Sequence, residues 1–360
     1  MHDMTHIKGL LNMQFNRLGH SDIKVPEICL GTMTFGEQNS QQEAFEQLHY
    51  ALEQGINFWD TAEMYSVPPK PETYGATEKI LGQWFAQHGR RDQVFLASKI
   101  AGPAFGGSHI REGETRFGQH ISEALDLSLT RLHTDYIDLY QLHWPERNTN
   151  FFGTLGYANA QAEAEYDVQA MHDTLIALQK EIQNGRIRYI GLSNETPWGT
   201  MKFLSLAKEL GVDRFVSIQN PYNLLNRTYE VGMSEIAKYE GIGLLAYSPL
   251  AFGYLTGKFR HGARPANARV TLFPRFTRYS NPQSEWATER YAQLAEQHGL
   301  TLTQLALAFI KQQFFVTSTI IGATSLDQLK ENIAAFDLTL DPALLQEIEK
   351  IHIQQPNPAP

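Results

Sequence analysis

The amino-acid sequence predicts a (β/α)8 barrel, or TIM barrel, and three observations carry this prediction. Short apolar segments alternate with amphipathic helical patterns along the chain. Eight apolar segments can be counted, which is the number of strands that closes such a barrel. The connections from helix to strand are short, whereas several connections from strand to helix are long. In a barrel the long strand-to-helix loops lie at the C-terminal face, where substrates bind.

The strand segments are short, apolar and mostly without alternation, as expected for parallel strands that are covered on both faces. They comprise residues 26–33, 56–60, 94–99, 136–143, 187–193, 215–220, 243–248 and 318–323. Helical patterns lie between them, for example at residues 42–55, 119–133, 172–185 and 327–336. The competing arrangement is an open doubly wound sheet. It is disfavoured because no GxGxxG motif follows the first strand.

The two ends of the chain are expected to flank a single domain. Residues 13–30 precede the first barrel strand and show a hairpin pattern, which we expect to cover the N-terminal mouth of the barrel. The domain is predicted to span residues 13–350, with terminal extensions at 1–12 and 351–360. No second domain is predicted, and no internal repeat beyond the β/α alternation.

Composition argues against several classes of protein. The net charge of −9 disfavours binding to nucleic acids and to anionic membrane surfaces. No apolar run reaches the length of a transmembrane helix and no signal-peptide core is present, so a soluble cytoplasmic protein is expected. The histidines show no zinc-binding spacing, and no metal is expected. The single cysteine, Cys29, lies in an apolar segment and is expected to be a buried structural thiol.

Polar side chains end successive strand segments. Asp60 ends the second, Lys99 the third and His143 the fourth, and Tyr65 follows Asp60 by five residues. Each residue alone is weak evidence, because a lysine after a strand is usually a solvated cap and a buried histidine usually belongs to the core. In a closed barrel, however, the strand ends form one ring. The joint occurrence of these four residue types around one mouth therefore indicates a catalytic site.

This set of residues suits acid catalysis on a carbonyl oxygen. Lys99 and Asp60 are expected to lower the pKa of the Tyr65 phenol from its ordinary value of about 10 and to fix its orientation. His143 can donate a second hydrogen bond to the oxygen as it becomes negative. A carbonyl activated in this way needs a hydride, and a nicotinamide cofactor is the obvious donor. Acyl transfer is disfavoured, since no nucleophilic serine or cysteine has a base beside it.

Six segments resemble the signature motifs of the aldo-keto reductase superfamily, in the same order and on the expected strands. They are DTAEMY at 60–65, ASK at 97–99, LHW at 142–144, GLSN at 191–194, IQNPYN at 218–223 and AYSPLAFGYLTGK at 246–258. The resemblance covers residues 15 to 340, nearly the whole chain. It implies a catalytic tetrad of Asp60, Tyr65, Lys99 and His143. In that family Tyr65 would be the general acid in the NADPH-dependent reduction of a small aldehyde or ketone.

The resemblance also implies a cofactor site. Ser193, Asn194 and Gln219 would hold the nicotinamide carboxamide, and Tyr247 would stack on the ring. The full set of implied cofactor-binding residues is Gly31, Thr32, Met33, Asp60, Ser193, Asn194, Gln219, Tyr247, Ser248, Pro249, Leu250, Gly253, Lys258, Arg269, Gly322, Thr324, Gln328, Glu331 and Asn332. A helix N-terminus in the last of these segments suits a phosphate independently of the family.

One departure from the common pattern concerns the phosphate groups. Many family members carry a lysine and an arginine in the last segment to bind the 2′-phosphate, where this chain has Gly322 and Gln328. The chain resembles instead the channel-β-subunit-like branch, in which a lysine and an arginine earlier in the chain help to bind phosphate. That resemblance implies that Lys258 and Arg269 bind phosphate and that NADPH is preferred to NADH.

The loop after His143 is expected to select the substrate. It spans residues 145–170 and carries four aromatic residues, Phe151, Phe152, Tyr157 and Tyr166. Trp144, Phe151 and Phe152 are predicted to bind substrate, through an apolar wall that favours aromatic or medium-length aldehydes and ketones over sugars. The alternative is a surface loop whose aromatic side chains pack on one another.

Two other functions are compatible with parts of this pattern. A cofactor-sensing regulatory subunit can carry the same fold and tetrad with incidental catalysis, as channel-associated subunits do. A phosphate-binding barrel isomerase or lyase would need glycine-rich loops late in the barrel and a Glu or Lys base. That reaction leaves Asp60, Tyr65 and His143 without a joint role, so it is the weakest of the three.

Overall fold

Eight parallel strands close into a barrel in the computed structural model of the chain, which describes residues 13–103, 109–156 and 168–360. The strands of the described residues are β1 (Phe15–Arg17), β2 (Lys24–Pro26), β3 (Ile28–Gly31), β4 (Phe58–Asp60), β5 (Phe95–Ile100), β6 (Ile137–Leu142), β7 (Ile187–Ser193), β8 (Ser217–Pro221), β9 (Gly243–Tyr247) and β10 (Val316–Ile321). Strands β3 to β10 pair in sequence order, and β10 pairs with β3 to close the barrel. The predicted (β/α)8 barrel is confirmed.

Helices separate the barrel strands. In the described parts of the chain they are α1 (Gln41–Glu53), α2 (Ala76–His88), α3 (Phe117–Leu132), α4 (Val168–Gln183), α5 (Pro197–Leu210), α6 (Met233–Glu240), α7 (Arg269–Leu272), α8 (Pro282–Gln297), α9 (Leu302–Lys311), α10 (Leu326–Ala334) and α11 (Pro342–Gln354). Local sequence sets many of their starts: Ser40 and Glu43 form a capping box on α1, and Thr301 and Gln304 form another on α9. Among the described residues, no helix combines the length and apolarity needed to cross a membrane.

Strand alternation directs the site residues into the barrel. Successive side chains of a strand point to opposite faces. In β4, Phe58 packs in the barrel interior and Trp59 packs outward against the helices, so Asp60 points inward again. The same alternation in β5 takes Phe95 inward and brings Lys99 to the interior face. The site is thus the upper layer of the barrel interior, where polar residues replace apolar ones.

The predicted hairpin covers the N-terminal mouth of the barrel. Strands β1 and β2 pair antiparallel, and Asn16 Nδ2 donates to the backbone oxygen of Thr317 at the start of β10. Leu18 and Val25 are fully buried against the interior side chains at that end. Cys29 lies in the same cluster as a free thiol, and burial raises its pKa well above the ordinary value. The lower end of the barrel is therefore filled with apolar side chains.

The C-terminal segment returns to the opposite mouth. Asn357 Oδ1 accepts from the backbone nitrogen of Arg227, and the nitrogen of Ala359 donates to the oxygen of Leu225. The backbone oxygen of Pro358 accepts from Asn281 Nδ2 at 3.0 Å, and Ala359 is 2% exposed. Helix α11 continues past residue 350, so this segment follows directly from it. The division into one domain at 13–350 with short extensions stays a prediction.

Candidate active site

The carboxylate of Asp60 and the ammonium group of Lys99 meet inside the barrel, and both side chains are almost fully buried. Lys99 Nζ donates to Asp60 Oδ2 at 2.6 Å and to the backbone oxygen of Thr61 at 2.8 Å. The other oxygen, Asp60 Oδ1, accepts from the side-chain amides of Gln141 at 3.1 Å and Gln219 at 2.9 Å. Four donated hydrogen bonds thus fix the pair in one orientation.

The phenol of Tyr65 lies beside the same ammonium group. Tyr65 OH is 3.4 Å from Lys99 Nζ, and its ring stands edge-on to that of His143 with 5.7 Å between centroids. Burial by itself would lower the pKa of Lys99, but Asp60 and Tyr65 outweigh burial and raise it. Lys99 therefore keeps its positive charge between a carboxylate and a phenol.

The pKa of Tyr65 differs from the sequence-based expectation. Burial raises this pKa, Lys99 lowers it and Asp60 raises it again, and the net shift is upward. The expected net lowering of this pKa is wrong. Burial destabilises the phenolate by removing water from around it, and this effect is larger than the stabilisation by the nearby ammonium group. A phenol with a raised pKa stays protonated at neutral pH, which is the state that a proton donor needs.

His143 follows β6 directly and offers a neutral imidazole. Burial, and secondly the charge of Lys99, hold the pKa of His143 well below its ordinary value. The backbone oxygen of His143 accepts from Asn194 Nδ2 at 2.8 Å, which ties the ends of two neighbouring strands together. Its Nδ1 atom is buried and has no hydrogen-bond partner among the described residues. A neutral imidazole can donate one hydrogen bond without adding a charge to the site.

The loop that carries Tyr65 is anchored by a buried ion pair. Glu63, two residues before Tyr65, accepts two hydrogen bonds from the guanidinium group of Arg111, at 3.0 and 2.5 Å. The same carboxylate accepts from the backbone nitrogen of Ala101 at 2.6 Å and from Tyr74 OH at 3.1 Å. The Glu63 side chain is fully buried and that of Arg111 is 10% exposed. Three segments of the barrel mouth are therefore joined at one carboxylate.

A cavity of about 780 Å³ opens at this mouth. Asp60, Tyr65 and His143 are part of its wall, whereas Lys99 lies behind Asp60 and Tyr65. Every residue that the sequence predicts to bind the cofactor also lines this cavity. The structure therefore brings together residues that are up to about 300 positions apart in the chain.

Two cations on the cavity wall lack a carboxylate partner in the described part of the chain. Burial lowers the pKa of Arg269 to about 10, and it lowers that of Lys258, which the charge of Arg269 lowers further. Gly253 makes room for Lys258: its φ is +97°, and a Cβ there would lie 2.8 Å from Lys258 Nζ. Two neighbouring cations without a carboxylate partner favour an anion between or beside them.

The end of β10 and the first turn of α10 form another part of the wall. Ser325 caps α10 by accepting from the backbone nitrogen of Gln328. Gln328 Oε1 in turn accepts from the backbone nitrogen and the hydroxyl of Thr324, at 3.0 and 3.1 Å. Asn332 Nδ2 donates to the backbone oxygen of Gly322. These contacts fix Gly322, Thr324 and Asn332 beside the cavity.

The ends of β7, β8 and β9 meet through side-chain hydrogen bonds. Ser193 Oγ donates to the backbone oxygen of Gln219 at 2.9 Å, and Tyr247 OH donates to Asn194 Oδ1 at 2.7 Å. Asn194 and Ser248 both have left-handed backbone conformations, with φ of 53°. Such conformations are strained for residues other than glycine, and they concentrate at functional sites.

The predicted substrate residues form a stack rather than a single wall. Phe152 lines the cavity, but Trp144 and Phe151 do not. Trp144 is buried between the rings of His143 and Phe152, with centroids 5.0 and 5.9 Å away, and Phe151 packs on Phe152 at 5.1 Å. Tyr157 and Tyr166, the other aromatic residues of this loop, lie outside the described residues.

One cavity-lining segment was missed by sequence reasoning. Arg275 and Arg278, with Phe252 and Phe276, also line the cavity. A signal was available: residues 258–284 contain five arginines and no acidic residue, although the whole chain has a net charge of −9. A segment after the seventh barrel strand that is rich in arginine and lacks Asp and Glu indicates an anion-binding loop.

The fold and the site together define a barrel enzyme with buried acid–base groups at the C-terminal ends of its strands. The chain belongs to the aldo/keto reductase family, whose family model matches residues 27–353. It is accordingly an oxidoreductase, and the resemblance seen in its motifs is confirmed.

Named relatives are similar over nearly their whole lengths. Protein tas of Escherichia coli (strain K12) is 52% identical over 349 residues, which cover 97% of this chain and 100% of that protein. A probable voltage-gated potassium channel subunit beta of Arabidopsis thaliana is 30% identical, with 96% and 98% covered. L-glyceraldehyde 3-phosphate reductase of Escherichia coli (strain K12) is 29% identical, with 94% and 92% covered.

Proposed function

We propose that the protein reduces aldehydes or ketones to alcohols with NADPH, and that Tyr65 is the general acid. One observation carries the proposal: Lys99 Nζ lies 2.6 Å from Asp60 Oδ2 and 3.4 Å from Tyr65 OH, at the wall of a large cavity. A protonated phenol next to a fixed ammonium group is suited to give a proton to an oxygen that becomes negative.

The roles of the four residues follow from their states. The substrate oxygen accepts hydrogen bonds from Tyr65 OH and from the imidazole of His143. NADPH, when bound, supplies the hydride to the carbonyl carbon. The proton passes from Tyr65 to the substrate oxygen, and Lys99 stabilises the phenolate that remains. Asp60 holds Lys99 in place, so that the ammonium group does not have to reorient during the reaction.

The side chains on the cavity wall have the charges and hydrogen-bonding groups that the parts of the cofactor require. Lys258 and Arg269 would supply positive charge for phosphate groups, and burial is the main cause that lowers the pKa of each. Ser193, Asn194 and Gln219 would hold the carboxamide, and Tyr247 would stack on the nicotinamide ring. Gln328, Glu331 and Asn332, on the first turns of α10, would surround the adenosine.

Replacing both Lys258 and Arg269 with alanine is expected to raise the Kd for NADPH more than that for NADH. The reason is that NADPH carries an additional phosphate, and charge-assisted hydrogen bonds to it would be lost. Quenching of tryptophan fluorescence measures both constants, with Lys208→Ala on the outer helix α5 as the control. Equal losses for the two cofactors would show that the pair binds only the phosphates common to both.

The rate of reduction is expected to be independent of pH from slightly acidic to moderately alkaline conditions. Tyr65 must be protonated, and its pKa is raised above the ordinary value of about 10, so its proton is lost only in strongly alkaline solution. His143 contributes no titration near its ordinary pKa of about 6.5, because that pKa is strongly lowered. Initial rates of kcat/KM across pH at constant ionic strength test this. A falling limb at neutral pH would contradict it.

The main alternative is a regulatory subunit that senses the cofactor, and the similarity to a channel subunit beta favours it. Consumption of NADPH, followed by absorbance over a panel of aromatic, aliphatic and sugar aldehydes, separates the two functions. Turnover of aromatic or medium-length aldehydes would support the reductase function and the role of Phe152 as an apolar surface for the substrate. Tight NADPH binding without turnover of any member of the panel would favour the regulatory subunit.

A further inference from the structure

Arg278 lies on the cavity wall beside the loop that carries Phe152. Both residues line the cavity, together with Gly153. A Cβ on Gly153 would lie 2.8 Å from Arg278 Nε, so the loop after His143 and the segment after α7 are in direct contact there. The guanidinium group also lies against the hydroxyl groups of Tyr247 and Tyr279.

The charge of Arg278 has no carboxylate side chain as a partner among the described residues, although the chain end at Pro360 lies on the same side of Gly153. The buried Nη1 atom of Arg278 has no hydrogen-bond partner among those residues. Burial would lower the pKa of Arg278, but the two tyrosine hydroxyls outweigh burial and raise it, so the group stays charged. Arg278 as a whole is partly buried, and a cation in such a place is stabilised by a ligand that supplies the counter-charge.

Arg278 is connected to the reacting groups through Tyr247, and it lies over the same Phe252 ring as Arg269, whose charge acts on Tyr65. Tyr247 donates to Asn194 at 2.7 Å, and Asn194 donates to the backbone oxygen of His143 at 2.8 Å. Arg278 is also connected to His143 through packed rings. It contacts Gly153, the neighbouring Phe152 packs on Trp144, and the ring of Trp144 lies 5.0 Å from that of His143. Arg278 is thus placed to meet the far end of a substrate whose carbonyl group lies at His143.

We propose that Arg278 binds a carboxylate group of the carbonyl substrate. The favoured substrates are then aldehydes or ketones with a carboxylate about one aromatic ring away from the carbonyl carbon. The planar guanidinium fork matches the two oxygens of a carboxylate, and Phe152 offers an apolar surface to the body of the molecule. This inference rests on the proposed reductase function and adds the class of its substrate.

Two matched substrates test the inference. They are 4-carboxybenzaldehyde and its neutral methyl ester, methyl 4-formylbenzoate. We expect the wild-type protein to prefer the acid, and Arg278→Gln to lower the ratio of kcat/KM for acid over ester about tenfold or more. Arg278→Lys, which keeps the charge but loses the fork, should lower the ratio less. Arg264→Gln is the control, because Arg264 belongs to the same basic stretch but is exposed and outside the cavity.

A binding measurement separates this inference from the proposed function. Calorimetry with 4-(hydroxymethyl)benzoate, the expected alcohol product, in the presence of NADP⁺ reports on the carboxylate site without turnover. Weaker binding to Arg278→Gln than to the wild type supports the site even if neither aldehyde is reduced. An unchanged acid-to-ester ratio, or an equal change in Arg264→Gln, would overturn it. Those results would mean that Arg278 only positions Tyr247 or attracts anions from a distance.

Discussion

Replacing Tyr65 with phenylalanine is expected to lower kcat for carbonyl reduction by about 10²–10⁴-fold, the usual contribution of a general acid. The variant loses only the hydroxyl group that lies 3.4 Å from Lys99 Nζ, and the ring can keep its edge-on contact with His143. The Kd for NADPH should therefore stay close to that of the wild type. Steady-state kinetics and a fluorescence titration of the cofactor measure the two quantities.

Tyr189→Phe provides the matched control for this experiment. Tyr189 packs against the interior cluster at the lower end of the same barrel, next to Phe95 and away from the cavity. Removal of its hydroxyl group should leave kcat unchanged. If Tyr65→Phe turned over substrate as fast as the control, Tyr65 would not be the proton donor, and His143 would be the next residue to examine.

Replacing Glu63 with glutamine is expected to cost about 3–5 kcal/mol of stability, because the charge of Arg111 is left buried without its partner. Urea unfolding, followed by tryptophan fluorescence, measures the loss. The kcat should fall as well, since Glu63 anchors the loop that holds Tyr65 near Lys99. Glu63 is a positioning residue in this sense and does not touch the reacting atoms.

An exposed ion pair of the same protein is the control for the buried one. Asp126 pairs with Arg186 and its side chain is 60% exposed, so Asp126→Asn should cost at most about 1 kcal/mol. The double variant Glu63→Gln with Arg111→Met should recover part of the lost stability, because the unpaired charge is removed. Equal small losses in both single variants would show that the Glu63 pair does not anchor the loop.

The strand ends were predictable from the sequence because the alternation of a strand continues to its last residue. Phe58 faces the barrel interior, and Asp60, two residues later, must face it too. The same rule places Lys99 after Phe95. Closure of the barrel then brings these residues together whatever their distance along the chain.

Other features depend on contacts that no local pattern reveals. The partner of Glu63 is Arg111, 48 residues away and within a separate turn. The sign of the shift in the pKa of Tyr65 depends on how much water the folded chain excludes, which the motif does not specify. Trp144 and Phe151 lie behind Phe152 because the aromatic rings of this loop stack on one another. The sequence shows that the loop is aromatic, but not which of its rings reach the cavity.

The path of the last residues has a practical consequence for attaching tags or surfaces to the protein. The hairpin of β1 and β2 lies at the closed end of the barrel, so a fusion joined before Phe15 starts from the side remote from the cavity. The last described residue, Pro360, lies at the open end, and its backbone oxygen would be 3.1 Å from a Cβ on Gly153. A fusion at that point is expected to contact the loop that carries Phe152 and the side chain of Arg278. Immobilisation through the β1–β2 hairpin therefore leaves the entrance facing the solution.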